Sequence, residues 1–199
     1  MNDWRSISLW LDQLDGPLHP RPALSGSLNV DVAIIGAGYT GLWTAYYLKQ
    51  QEPGLRIAIV EAEIAGFGAS GRNGGWLMGG ILGESRLLAG LSVEQRQAGY
   101  DLLHGIPDEV GRVIAQENIA CDYRKGGALY CAARYPEQLH SLQEQLKALR
   151  HAGLGSQDYR WLDAPQLSER LRIANGHGAI FTPHVATIQP AKLVRGLAD

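Results

Sequence analysis

The chain has 199 residues, 45% of them hydrophobic and 19% charged, with a formal net charge of −2. That length suffices for one or two domains with a sizeable core, and the composition excludes a disordered chain. The charge balance argues against a nucleic-acid partner, which needs a clustered basic surface.

The amino-terminal MNDWRSISLWLDQLDG has acidic residues early and no basic segment leading into an apolar core, so it does not read as a signal peptide. Trp4, Ile7, Trp10, Leu11 and Leu14 predict one apolar helical stripe. The Pro-rich GPLHPRPALSG after it predicts an extended arm lying on the body of the protein.

Residues 30–35 form a mainly apolar β-type run, residues 39–51 a helical segment, and residues 56–61 a second β-type run after the break at Pro53-Gly54. Strand, helix and strand at this spacing predict a βαβ unit with parallel strands, apolar enough to be covered on both faces. The uncharged stretch from Val32 to Leu48 is broken by Gly36, Gly38 and Gly41 and is short for a membrane span, so no transmembrane segment is predicted.

Residues 62–83 are Gly-rich and aperiodic, the mark of a functional loop. A helix is predicted from Ser92, with Pro107 as a kink or as the first turn of a new helix. Residues 122–124 and 128–133 read as strands about the turn Lys125-Gly126-Gly127, in a separate antiparallel sheet. Residues 136–150 predict an amphipathic helix with Leu139, Leu142, Leu146 and Leu149 on one face and Gly153 just past its end. Asp163 and Gln166 form a capping box for another helix, residues 179–182 read as a strand, and Pro190 opens a last helix.

The chemistry is concentrated in V-A-I-I-G-A-G-Y-T-G-L-W-T-A, residues 32–45. A bare GxGxxG is weak, but here it leaves a strand and enters a helix. Gly36 permits the tight turn, Gly38 leaves room for a pyrophosphate, and Gly41 lets the helix pack closely on the sheet. The helix start, at Ala37, Tyr39 and Thr40, offers N–H groups and the positive dipole end to phosphates. Glu61 ends the second strand, where a carboxylate accepts hydrogen bonds from ribose hydroxyls and repels a 2′-phosphate. These features identify a dinucleotide site without separating FAD from NAD.

The segment A-E-I-A-G-F-G-A-S-G-R-N-G-G follows Glu61 directly. It resembles the second fingerprint of the D-amino-acid-oxidase-like flavoprotein family, most nearly its gamma-glutamylputrescine oxidoreductase branch. The resemblance is specific through Gly75; K-G-G-A-L-Y and Q-P-A-K-L-V-R-G-L-A are looser matches. It implies FAD as cofactor, with Ala62 near the adenine and Ser70, Arg72, Asn73, Gly74 and Gly75 beneath the ribityl chain and flavin. Ser70 is expected to bond the pyrophosphate, and Arg72 to meet either the phosphates or a surface carboxylate. The implied reaction is oxidation of the C–N bond of a small amine or amino acid by hydride transfer to flavin. Residues 1–29 are then an arm, 30–90 the FAD (ADP)-binding Rossmann part, 91–186 a helical segment with part of a substrate domain, and 187–199 a truncated return toward the FAD domain.

The fold class is therefore α/β: a Rossmann-type FAD-binding βαβ unit plus part of an α+β substrate domain, an incomplete FAD/NAD(P)-binding fold. Full family members are longer, so the chain is expected to be an amino-terminal portion with no catalytic residue to name. An inactive truncated fragment and a NAD-dependent dehydrogenase are the alternatives. Trp76 and Met78 are expected as core residues, or else as lining on the substrate side, and Tyr130 falls on a strand that the family gives to its substrate domain. His177 and His184 are too few for a metal site. Cys121 and Cys131 match no metal or redox spacing; they read as small core residues rather than flavin anchors, in a reducing cytoplasmic setting.

Overall fold

The computed structural model describes residues 3–199; Met1 and Asn2, the start of the amino-terminal reading, lie outside the described residues. The predicted amino-terminal stripe becomes a 3₁₀ turn, Trp4–Ile7, and a short helix α1, Leu9–Asp12, separated by Ser8, whose hydroxyl accepts the Leu11 N–H. The βαβ unit follows as β1 (Val32–Ile35), α2 (Tyr39–Gln51) and β2 (Ile57–Val60). The strands are parallel, with Val32 opposite Ile57 and Ile35 opposite Val60. Asp31, inside the predicted run, falls before β1, where its carboxylate takes the Arg56 guanidinium.

The long loop carries a 3₁₀ turn at Ala69–Gly71 and a short strand β3 (Trp76–Met78). Then come α3 (Glu84–Leu88), α4 (Val93–His104) with its Ser92–Gln95 capping box, and α5 (Ile106–Gln116). Pro107 sits in the first turn of α5, so it starts a helix rather than kinking one. The remaining elements are β4 (Arg124–Lys125), β5 (Ala128–Ala132), α6 (Pro136–His151), β6 (Arg160–Asp163), α7 (Ala164–Arg170), β7 (Gly178–Thr182), β8 (Val185–Thr187) and α8 (Pro190–Gly196). The Asp163–Gln166 capping box forms at α7 as expected.

The chain divides into two compact units, the first made of Met1–Trp76, Arg112–Tyr123 and Ile188–Asp199, the second of Leu77–Gly111 and Arg124–Thr187. In the first, Leu11, Ile64 and Ala191 are buried against Trp4, Ile7, Trp10, Leu14, Leu18 and Phe67. A second cluster joins Ala37, Leu42 and Val194 to Tyr39 and Ile59. The βαβ sheet has two strands, and its apolar faces are not both covered: Ile35 is 90% exposed. The expectation of burial on both faces fails there, because among the described residues no third strand joins this sheet.

In the second unit, Leu88, Tyr100 and Leu154 form a core with Leu103, Leu149, Ala152 and Tyr159. Its sheets run in the orders β3-β8-β4 and β5-β7-β6. The expected hairpin about Lys125-Gly126-Gly127 is a misreading. Arg124 pairs with Thr187 and Lys125 with Ala186, while Ala128 pairs with Thr182, all antiparallel. β4 and β5 therefore run on as one strand against β8 and β7, and the glycines are a kink in that ribbon. Gly127 takes φ +77° there, and a Cβ on it would overlap the Thr182 carbonyl oxygen. Strand β6, which alternates too little to be seen in the sequence, closes the sheet beside β7.

Candidate functional site

The first unit holds the predicted dinucleotide turn. β1 ends at Ile35, and Gly36 turns the chain at φ +97°, a left-handed value open to glycine. Gly38 caps α2 in extended conformation, so Tyr39, Thr40 and Gly41 form its first turn. Those first N–H groups have no partner within the helix and carry its positive dipole end. The Gly41 Cα lies so close to the preceding turn that a Cβ would overlap the Gly36 carbonyl oxygen and stand 3.0 Å from Ile34 Cγ2.

Glu61 follows β2 immediately and stays exposed. Its Oε2 accepts the Ala37 N–H at 2.8 Å and its Oε1 accepts the Glu63 N–H at 3.1 Å. These bonds fix the carboxylate beside the glycine turn and leave each oxygen further lone pairs. Ala62, next in the chain, is exposed.

The Gly-rich segment folds back over the start of α2. Ser70 Oγ accepts the Tyr39 N–H at 2.9 Å, so the helix is capped by a residue from 31 positions further along. A Cβ on Gly38 would stand 3.0 Å from the same Ser70 oxygen. Asn73 braces the segment: its Nδ2 donates to the Ser70 carbonyl and its Oδ1 accepts the Gly75 N–H at 2.8 Å. Gly75 has φ +70°, and a Cβ there would stand 2.6 Å from the Ile188 carbonyl oxygen; around Gly74 the space is open. Arg72 lies over the Phe67 ring at 5.2 Å and donates to the Gly68 carbonyl.

The amino-terminal arm and α8 hold this segment in place. Trp10 Nε1 donates to the Asn73 carbonyl at 2.7 Å, Ser8 Oγ to the Gly71 carbonyl, and Trp4 Nε1 to Glu63. Gly66, at φ +82°, packs against Val194, and the Tyr39 hydroxyl donates to the Pro190 carbonyl at 2.9 Å. Burial pushes the Tyr39 phenol well above its ordinary pKa. Cys121 is buried, and burial first, then Asp122, pushes its thiol up to about 11. A thiol kept protonated in this way is a packing residue.

The predicted residues thus fall into one cradle: Gly36, Ala37, Gly38, Tyr39, Thr40 and Gly41 at the turn, Glu61 and Ala62 after β2, and Ser70, Arg72, Asn73, Gly74 and Gly75 along the folded-back segment. The capping role of Ser70 was not readable from the sequence, because it is set by a contact across 31 residues. Ser70→Ala removes the acceptor of the Tyr39 N–H and is expected to cost about 0.5–2 kcal/mol, the range for losing a helix cap. Denaturant unfolding checks this; an unchanged midpoint would mean the cap is dispensable.

The second unit has a cavity of about 300 Å³ whose lining includes Met78, Glu84, Tyr130, Tyr159, Thr182 and His184. Met78 and Tyr130 therefore face a cavity. Trp76, expected in the core, is 70% exposed instead, because it sits on a three-residue strand with no layer over its side chain among the described residues. Behind His184 lie His104 and Asp158, which the sequence reading missed: they are far apart in the chain and share no motif spacing. His177 is not part of this cluster.

The family model described as DAO, FAD dependent oxidoreductase, matches residues 31–199. Gamma-glutamylputrescine oxidoreductase of Escherichia coli (strain K12) is 32% identical over 187 residues, covering 90% of this chain and 41% of that protein. The chain spans about two fifths of the length of the curated relatives it matches. Among solved structures, L-amino acid deaminase from Proteus myxofaciens in complex with anthranilate superposes with a TM-score of 0.65 at 22% identity, over 89% of this chain and 38% of that one. Glycine oxidase from Geobacillus kaustophilus gives a TM-score of 0.62 at 24% identity, over 85% and 43%. These likenesses show the fold, part of a Rossmann type, and the family model adds the dependence on FAD. No helix among the described residues is long and apolar enough to cross a membrane.

Proposed function

The chain belongs to the DAO family of FAD-dependent oxidoreductases, with FAD as cofactor, and from that premise we propose that it provides the ADP-binding and flavin-contacting part of an enzyme oxidising the C–N bond of an amine or amino acid. The observation that carries this reading is the cradle in which Glu61, the Gly36–Gly41 turn and Ser70 converge on the start of α2. When bound, FAD supplies the acceptor for the hydride leaving the substrate carbon.

The chain's own residues bind and orient it. The α2 N-terminus takes the pyrophosphate, where its N–H groups and dipole favour negative charge. Glu61 accepts from the two ribose hydroxyls and disfavours a 2′-phosphate. Ala62 lies by the adenine, and the Ser70 hydroxyl, still a donor while it accepts from Tyr39, reaches a phosphate oxygen. Arg72 adds charge to the phosphates. Asn73 holds the loop shape in which Gly74 and Gly75 approach the flavin without side-chain obstruction. Two free cysteines suit a cytoplasmic setting.

The test is titration with FAD, followed by anaerobic addition of amines and amino acids. Uptake of FAD into a yellow complex is the expected result for the chain, and bleaching by one of the amines for the whole enzyme of which it is part; a colourless protein that takes up NAD instead would sink the proposal.

The exposed β1–β2 surface, with Ile35 at 90% and Val60 at 40%, favours a second reading of the 199-residue polypeptide by itself: it holds FAD without turning over substrate. A flavin site open to water loses the exclusion on which the chemistry depends. We expect no flavin-dependent peroxide release from residues 1–199 with a panel of amines, gamma-glutamylputrescine included. Turnover there would show the chain to be sufficient alone.

A further inference from the structure

Three segments of the second unit bring titratable groups together away from the dinucleotide cradle. His104 ends α4, Asp158 lies in the turn before β6, and His184 stands between β7 and β8. The two imidazole rings are stacked, 3.9 Å between centroids and within 4° of parallel. Asp158 Oδ1 is 3.1 Å from His184 Nε2 and 3.6 Å from His104 Nδ1. Its Oδ2 accepts the Gly155 N–H at 2.9 Å, which fixes the carboxylate. His104 and Asp158 are buried, whereas His184 is partly open and lines the cavity.

Two imidazoles and a carboxylate are a metal-ligand set by composition, and their donor atoms lie within 4.8 Å of one another. The ring orientation decides against a shared ion. A metal bonds an imidazole nitrogen along its in-plane lone pair, at about 2.0–2.1 Å for zinc. Parallel planes do not meet, so an ion between these rings would stand out of each plane by roughly half their 3.9 Å separation, nearly a whole bond length.

A proton meets no such conflict. One imidazolium can rest on the Asp158 carboxylate while the neutral ring stacks on it. A second proton would set two cations face to face in a buried place, where like charges oppose ionisation. The other groups facing the pair are Asp101 on α4, Glu84 from α3 across the cavity, and the phenols Tyr100, Tyr159 and Tyr130.

We propose that His104, Asp158 and His184 form a one-proton site in the cavity wall, and that His184 exchanges this proton with an amine bound in the cavity. The ligand class rests on the C–N oxidation proposed above. In the exchange an ammonium N–H bond breaks, the proton passes to a His184 ring nitrogen, and the electron pair stays on the amine nitrogen. Asp158 is a positioning residue, and His104 limits the site to one charge.

Burial first, then the neighbouring His184, holds the His104 pKa below its ordinary value. The folded state therefore binds fewer protons than the unfolded chain once the pH falls below about 6.5. The stability carried by the neutral ring is present above that pH and lost as the pH falls through the depressed value.

The experiment is a pH titration of the imidazole carbon-bound proton resonances in the full chain, assigned with His104→Phe, His184→Gln and Asp158→Asn. The two rings should share the first proton taken up, with the second entering only at lower pH. In His104→Phe, which keeps a stacked ring without the charge, His184 should take up a full proton alone. If that variant does not fold, His184→Gln read from His104 gives the same comparison. Asp158→Asn should move the first step about one pH unit or more lower. Two independent, complete titrations in the wild type would overturn the site, as would saturable zinc binding that His184→Gln abolishes. Millimolar butylamine should shift the His184 resonance and butanol should not; an unmoved resonance overturns the ligand assignment. Because no step uses flavin, these outcomes stand apart from the FAD reading: a chain that shows the one-proton titration but binds no FAD refutes that reading alone.

Discussion

Gly41→Val is expected to lower the Tm of the chain by roughly 6–12 °C, corresponding to about 3 kcal/mol at the upper end of overpacking costs. A Cβ on Gly41 would overlap the Gly36 carbonyl oxygen and press on Ile34 at 3.0 Å. The first neighbour is backbone, held by the turn between β1 and α2, so it cannot move aside as a flexible side chain would. Either α2 lifts from the sheet or the turn opens, and both changes disturb the buried cluster of Ala37, Leu42 and Val194. Gly74→Ala is the control, since nothing lies within 4 Å of the added carbon. It should leave the Tm almost unchanged. Thermal unfolding by circular dichroism reads both variants, and a Gly41→Val protein melting with the wild type would show that helix and strand do not pack this closely.

FAD affinity should fall about 10- to 100-fold in Glu61→Ala, equivalent to about 1.5–3 kcal/mol for hydrogen bonds to a charged group. The carboxylate takes the Ala37 and Glu63 N–H groups of the cradle, and on the proposed reading its remaining lone pairs would accept from the ribose. Glu61→Gln should fall between wild type and Glu61→Ala, because one of its side-chain positions becomes a donor and can no longer accept while the other still can. Gly38→Val should do more harm than either, since its Cβ would already stand 3.0 Å from Ser70 Oγ and its methyl groups would fill the place proposed for the pyrophosphate. Quenching of FAD fluorescence measures all three. Wild-type affinity in both Glu61→Ala and Gly38→Val would refute the assignment of this cradle.

The cradle was more legible than the second unit. GAGYTG between two apolar runs states its own local geometry: a left-handed Gly36, a helix from Tyr39, and an acid after the second strand. Lys125-Gly126-Gly127 states only that the backbone bends. Whether two glycines make a hairpin or a kink depends on which strand lies opposite, and here it is β8 and β7 rather than each other. The same holds for Trp76, whose apolar character predicted burial although it is 70% exposed among the described residues.

By itself the sequence determined the βαβ unit, the helix start at Ser92, the capping box at Asp163, and the residues around the dinucleotide turn. Each of these is written in residues close together in the chain, where backbone sterics and local hydrogen bonds dictate the outcome. Tertiary structure alone decided that Ser70 caps α2, that Trp10 and Asn73 tie the arm to the glycine loop, and that His104, Asp158 and His184 meet at one carboxylate oxygen. Those contacts join residues tens of positions apart, and no local preference encodes them; they exist because packing within each unit brings distant segments within hydrogen-bonding distance.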